Sequence, residues 1–176
     1  MERIELYHGN IVEMHVDAIV NAANKSLLGG GGVDGAIHQA SGPQLREECR
    51  KLNGCRTGQA KITRGYRLTA KFIIHTVGPV WLGGKKGEKE LLRDAYQNSL
   101  ELGKKYGIRT IAFPNISTGV YRFPKEMAAQ IAIGTVAEFL SNDSSYEKIY
   151  FCVYDTENYE LYKQILSGNK HETVEG

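Results

Sequence analysis

Four short, largely apolar runs, Ala18–Val20, Phe72–Val77, Thr110–Phe113 and Ile149–Tyr154, constrain this 176-residue chain more than any other feature. Runs of this length, without steady polar alternation, suit strands covered on both faces. Between them stand helical patterns. Glu88 to Lys105 sets Leu92, Ala95, Tyr96, Ser99 and Leu102 on one face; Pro124 to Leu140 does the same with Ala128, Ile131, Ala132, Val136 and Phe139. Pro124 suits a first helical turn, and a last helix over Thr156 to Leu166 has Thr156 as its expected N-cap. Strands alternating with helices predict a mostly parallel sheet with helices on both sides. Arg3–His8 alternates and reads as an edge or half-buried strand, and the more polar Ala60–Tyr66 as another strand near an edge. Without repeats or low-complexity segments, the expectation is one domain over residues 1–167, then a polar tail over residues 168–176.

Bulk numbers narrow the class. Lys and Arg total 22 against 20 Asp and Glu, a net charge of +2. That balance is too even for a dedicated nucleic-acid binder. Cys49, Cys55 and Cys152 make an odd count without Cys-x-x-Cys spacing, which argues for a reducing compartment and against structural zinc. The charged, alternating N-terminal stretch does not read as a signal peptide, and no apolar run approaches the about 20 residues that span a bilayer. The expectation is a cytoplasmic monomer with no membrane partner.

The stretch Asn21-Ala-Ala-Asn24-Lys-Ser-Leu-Leu-Gly-Gly-Gly-Gly-Val-Asp34-Gly35-Ala-Ile-His38 carries the chemistry. Glycine runs let backbone approach a ligand closely, and amides pooled at a helix start attract phosphate. An Asp inside such a loop opposes simple anion capture, which gives Asp34 a chemical role beside the phosphates. The string Gly30-x-Gly32-x-x-Gly35 spells a dinucleotide fingerprint but lacks its usual context. Asn21 to Gly29 separate it from the strand, and Arg50-Lys51-Leu52-Asn53 lacks the acidic residue expected about 20 positions on. No phosphate-loop string ending in Gly-Lys-Ser/Thr exists either.

Open α/β sheets bind ligands beyond the C-terminal ends of their strands. Three loops leave that edge: Asn21–His38, Asn115–Tyr121 and Tyr154–Asp155. Ser117, Thr118 and Gly119 form a second anion nest facing the first. Two nests point to a diphosphate, and Tyr121 and Tyr154 to packing on a ribose or base.

At these residues the chain resembles the macrodomains of the MacroD type, which hydrolyse ADP-ribose esters. The matching strings are Asp17-Ala-Ile-Val-Asn-Ala-Ala-Asn24, Gly29-Gly-Gly-Gly-Val-Asp-Gly-Ala-Ile-His38, His75-Thr-Val-Gly-Pro-Val-Trp81 and Ile116-Ser-Thr-Gly-Val-Tyr121, in the family's order from about Ile4 to Leu166. The resemblance implies a three-layer α/β/α fold around a mixed, mostly parallel sheet. It also implies hydrolysis of O-acetyl-ADP-ribose and removal of mono-ADP-ribose from acidic side chains of proteins, with no cofactor and no metal. ADP-ribose, its esters and ADP-ribosylated proteins are the implied partners.

The same resemblance assigns roles. Asn24 and Asp34 match the catalytic pair near the distal ribose, and Gly32, Val33 and Asp34 the first ligand loop. Ser117, Thr118, Gly119, Val120 and Tyr121 match the loop around the diphosphate. Asn10 and Ile11 fall on the adenine-gripping turn, and Tyr154 falls beside the adenine. Two positions depart from the pattern: Asn10 stands where the family has Asp, and Arg122 where close relatives often have Gly.

Plainer readings compete. Asp34 is placed to N-cap a helix starting at Gly35, Asn24 to bond its own loop, His75 to be a satisfied core histidine, and Cys152 to pack. His8, His15, His38, His75 and His171 are scattered rather than clustered as metal ligands. A non-catalytic reader of ADP-ribose is the alternative function; it needs no counterpart of Asp34.

Overall fold

The computed structural model describes the backbone of residues 2–175 and the side chains of residues 2–168. Among the described residues there are six strands: β1 (Ile4–His8), β2 (Ala18–Ala22), β3 (Ala60–Arg64), β4 (Phe72–Thr76), β5 (Thr110–Phe113) and β6 (Lys148–Val153). They form one sheet in the order β1-β6-β5-β2-β4-β3. Every pairing is parallel except β3 with β4. Both strands expected near an edge, β1 and β3, are the edges.

Among the described residues five α-helices cover the faces: α1 (Gly32–Ser41), α2 (Pro43–Lys51), α3 (Glu88–Lys105), α4 (Lys125–Ser141) and α5 (Thr156–Glu175). Alternation along β2 sorts the two cores. Ala18 and Val20 pack with Leu92, Tyr96, Ala132, Val136 and Tyr162 beneath α3, α4 and α5. Ile19 faces the other way, toward Ile37 of α1 and Leu45 and Cys49 of α2. Side chains on both faces of β2 are fully buried, which is why its apolar run does not alternate.

Helix ends differ from expectation in three places. Asp155, not Thr156, caps α5: its Oδ1 accepts the Asn158 N–H at 2.8 Å and its Oδ2 accepts from Asn158 Nδ2 at 2.9 Å. A carboxylate is the stronger acceptor at a helix N-terminus. Pro124 is the extended residue before α4 (ψ 126°) rather than part of its first turn. The backbone of α5 continues past Leu166 to Glu175, and side chains of the expected polar tail lie outside the described residues from 169 on. Helix α2 was not expected. Its signal is slight: Gly42 at φ +93°, Pro43 at the first turn, and only Leu45 and Cys49 buried at i,i+4 spacing.

Candidate functional site

Because β1, β6, β5, β2 and β4 run parallel, the loops after them leave one edge of the sheet. Along that edge the expected residues fall in a line: Asn10 and Ile11 after β1, Tyr154 after β6, Ser117–Tyr121 after β5, then Asn24 and Gly32–Asp34 after β2. Strands lie about 4.8 Å apart, so the three steps from β1 to β2 span about 14 Å. The line matches an elongated ligand laid across the strand ends.

Helix α1 begins three residues earlier than the cap reading required. Gly31 is its N-cap, in extended conformation and without a side-chain cap bond, so Gly32, Val33 and Asp34 form the first turn. Their N–H groups are the ones an α-helix leaves without internal partners, a ready anion site. Asp34 therefore does not cap α1.

Asp34 is 4 % exposed. Its Oδ1 accepts from Asn21 Nδ2 at 2.9 Å, and His38 Nε2 stands 3.5 Å from the same oxygen. Oδ2 points at the glycine loop, 3.2 Å from where a Cβ on Gly30 would sit. One oxygen is thus anchored and the other faces the loop. Burial lifts the Asp34 pKa above the ordinary carboxylate range, against the opposing Asn21 bond and His38. Burial also lowers the His38 pKa, although Asp34 pulls it upward. The net shift favours the neutral form of His38.

A buried relay supports this carboxylate. Asn21 and His75 face each other in the register of β2 and β4. Asn21 Nδ2 gives one N–H to Asp34 and the other to His75 Nδ1, 3.1 Å away. His75 Nδ1 is then the acceptor, so Nε2 carries the proton and donates to Thr63 Oγ1 at 2.9 Å. His75 is wholly buried, and desolvation, helped by His38, drops its pKa to about 3. The core-histidine reading holds, and this core histidine orients Asn21.

Asn24 is half-buried and tied into its own loop. Nδ2 donates to Gly29 O at 2.9 Å, and Oδ1 accepts from Ser26 Oγ at 2.7 Å and Leu27 N at 3.2 Å. Its Nδ2 and Asp34 Oδ2 nonetheless converge on Gly30, at 3.3 and 3.2 Å from that glycine's notional Cβ. The loop closes on the helix at Gly35, where a Cβ would stand 2.5 Å from Gly30 O. Only a residue without a side chain lets backbone pass there.

The loop after β5 is equally shaped. Ser117 adopts φ +69° and Arg122 φ +60°, left-handed conformations that favour glycine. Strained residues of this kind concentrate at ligand clamps. The loop is held by Phe123 N–H to Ser117 O (2.9 Å) and Arg122 N–H to Gly119 O (2.9 Å), and joined to the β4 loop by Trp81 N–H to Tyr121 O (2.8 Å). The Ser117 hydroxyl packs on Gly78 and is buried without a hydrogen-bond partner among the described residues. Thr118 and Tyr121 are half-buried, Gly119 is exposed, and Val120 is 91 % exposed.

At the other end Asn10 caps a short 3-10 turn (Ile11–Glu13), its Oδ1 accepting the Val12 N–H at 3.2 Å. Ile11 is buried beneath it, and Tyr154 stands 80 % exposed. His8 joins this end, its Nε2 3.1 Å from Tyr154 O and its ring stacked on Tyr159.

Sequence reasoning missed Asn21 and His38. The i,i+4 spacing of Asp34 and His38 signals the first contact; a lone Asn beside an apolar run is the only sign of Asn21. Burial raises the thiol pKa of Cys49 to about 11 and of Cys152 to about 12, which disfavours the thiolate that a nucleophile needs. Among the described residues no three His, Cys, Asp or Glu side chains gather as a metal site, and no helix is long and apolar enough to cross a membrane.

Residues 20–132 match the family model described as Macro domain. A macro domain-containing protein of Methanosarcina mazei is 60 % identical, over 95 % of this chain and 89 % of that protein. An O-acetyl-ADP-ribose deacetylase of Citrobacter rodentium is 54 % identical, over 94 % and 96 %. Among solved structures, a mutant Oceanobacillus iheyensis macrodomain with ADPR superposes with a TM-score of 0.92 at 40 % identity, covering 96 % of this chain and 94 % of that one.

Proposed function

The chain belongs to the macro domain family, and from that premise we propose that it binds ADP-ribose along this sheet edge and hydrolyses esters of the distal ribose. Adenine takes the Asn10–Ile11 and Tyr154 end, the diphosphate lies between the first turn of α1 and Ser117–Tyr121, and the distal ribose meets Asn24 and Asp34. The observation that carries hydrolysis over mere binding is Asp34 itself. A carboxylate buried beside an anion site weakens phosphate capture, and its elevated pKa suits proton transfer.

In this reading Asp34 Oδ2 takes a proton from a water that attacks the ester carbonyl. The carbonyl–oxygen bond breaks, the acid leaves, and the proton returns to the ribose oxygen. Asn24 orients the ribose hydroxyls, and diphosphate oxygens share in placing the water. The substrates are O-acetyl-ADP-ribose and proteins carrying mono-ADP-ribose on acidic side chains, met in the cytoplasm; three free, buried cysteines suit a reducing compartment.

Two measurements test this together. Acetate release from O-acetyl-ADP-ribose is expected to be catalytic, and calorimetry to show ADP-ribose binding much more tightly than AMP. Saturable binding with no turnover would leave a reader module. Equal affinity for both ligands would remove the diphosphate site.

The adenine end makes its own prediction. Asn10→Asp is expected to tighten ADP-ribose binding several-fold, because hydrogen bonds to charged groups contribute about 1.5–3 kcal/mol against about 0.5–1.5 for neutral ones. Turnover number stays put, since the ester lies at the far end. A ligand with hypoxanthine for adenine, which lacks the donating amine, gains nothing. If the folded variant binds ADP-ribose no better, Asn10 does not touch the base.

A further inference from the structure

Past Lys25 and Tyr121, the loop after β4 and the start of α3 line an open cavity of about 440 Å³. Tyr121 is the only residue assigned to the nucleotide that lines it, while Lys25 directly follows Asn24. The cavity therefore continues the line of the site beyond the reacting ester, away from the adenine end.

Its walls are mostly apolar, with Val77, Pro79, Val80, Leu82 and Leu91 contributing. Val80 is 46 % exposed and Leu82 65 %, so large apolar side chains stand at the rim. The rim is also prebuilt. The Glu88 carboxylate accepts N–H groups from Leu82 (2.8 Å), Gly84 (2.8 Å) and Lys86 (2.6 Å), which holds the loop in one shape.

Charge at the mouth is one-sided. Lys25 and Lys86 are exposed, and among the described residues neither is in an ion pair. Glu88, the one carboxylate in the wall, is buried and committed to three backbone donors. An incoming ligand meets two free cations and an apolar floor.

Size separates the occupants. A two-carbon acetyl group fills only a small part of a space that falls within the about 300–1,000 Å³ range of small-molecule sites. We propose that the cavity receives the polypeptide side of the scissile ester when ADP-ribose is attached to a Glu or Asp of a protein, and that Lys25 and Lys86 favour segments with further acidic residues beside the modified one. The proposal rests on the hydrolase reading above and names its protein substrates more closely.

The test compares three substrates in wild type and in the double variant Lys25→Glu, Lys86→Glu: O-acetyl-ADP-ribose, a peptide ADP-ribosylated on one Glu with acidic neighbours, and the same peptide with lysine neighbours. Wild type is expected to prefer the acidic peptide by about 10-fold in kcat/KM, a preference that weakens with salt. The double variant is expected to lose or reverse that preference while acetyl ester hydrolysis stays within about two-fold. A preference unchanged in the variant, or an equal fall on all three substrates, overturns the proposal. Failure of the hydrolase reading shows separately, as wild type that leaves the acetyl ester intact, and the proposal falls with it. A circular dichroism melt of the variant checks its folding.

Discussion

Asp34→Ala is expected to slow ester hydrolysis about 100- to 10,000-fold, the range of a lost general base, with ADP-ribose affinity retained within a few-fold. The asymmetry follows from the geometry: Oδ1 is consumed by Asn21, while Oδ2 faces the loop and opposes rather than attracts phosphate. Alanine leaves an Asn21 N–H unpaired in a buried place, at about 1–3 kcal/mol. Asp34→Asn, which keeps the shape, separates lost chemistry from lost stability. A variant that keeps most of its turnover, or loses binding and turnover in step, would sink the assignment. The pH profile supplies a second check. Because burial lifts the Asp34 pKa, the acid limb of kcat/KM in wild type should lie above the usual carboxylate range.

The other large effect concerns stability. In the unfolded chain His75 titrates at about 6.5, whereas in the fold its pKa falls to about 3. Between those values the unfolded state holds the extra proton. The His75 contribution is therefore complete above pH 6.5 and is lost as pH falls, at up to about 1.4 kcal/mol per unit. By pH 3 the cumulative loss is on the order of several kcal/mol, a large share of the about 5–15 kcal/mol that holds a typical domain folded. Urea denaturation at successive pH values should show that slope from 6.5 downward, and His75→Gln should flatten it. Imidazole nitrogen NMR should find the Nε2–H tautomer, uncharged, well below pH 5. A His75 that titrates near 6.5 in the folded protein would refute the relay.

The parts legible in the sequence were those set by local pattern. Strand β5 and helix α3 fall on the residues expected, because an apolar run ends at Pro114 and a 3.6-residue stripe is bounded by Gly87 and Gly107. Asp34 stood out because its charge opposes its surroundings. Helix α2 was hidden because two buried residues in nine make too short a period to read. The polar support of Asp34 was hidden for another reason. Asn21 reads as the start of a loop, yet β2 carries it two residues deeper, where its partner is on a strand far along the chain. A hydrogen bond between strands brought together by folding leaves no local mark. The cap reading of Asp34 failed on a single detail, Gly31 taking the cap in extended backbone.

The sheet order also sets a timetable. Strand β1 pairs with β6 alone, Ile4 against Ile149, and cannot dock until that last strand is in place. The turn holding Asn10 and Ile11 follows β1 directly, and Tyr154 follows β6. During synthesis the glycine loop, Asp34 and its relay can assemble from β2, β3, β4 and α1, while the opposite end of the cleft waits for residues made far later. Such non-local closure is slow. A nascent chain thus owns its buried carboxylate and the first turn of α1 well before the Asn10 end of the edge exists.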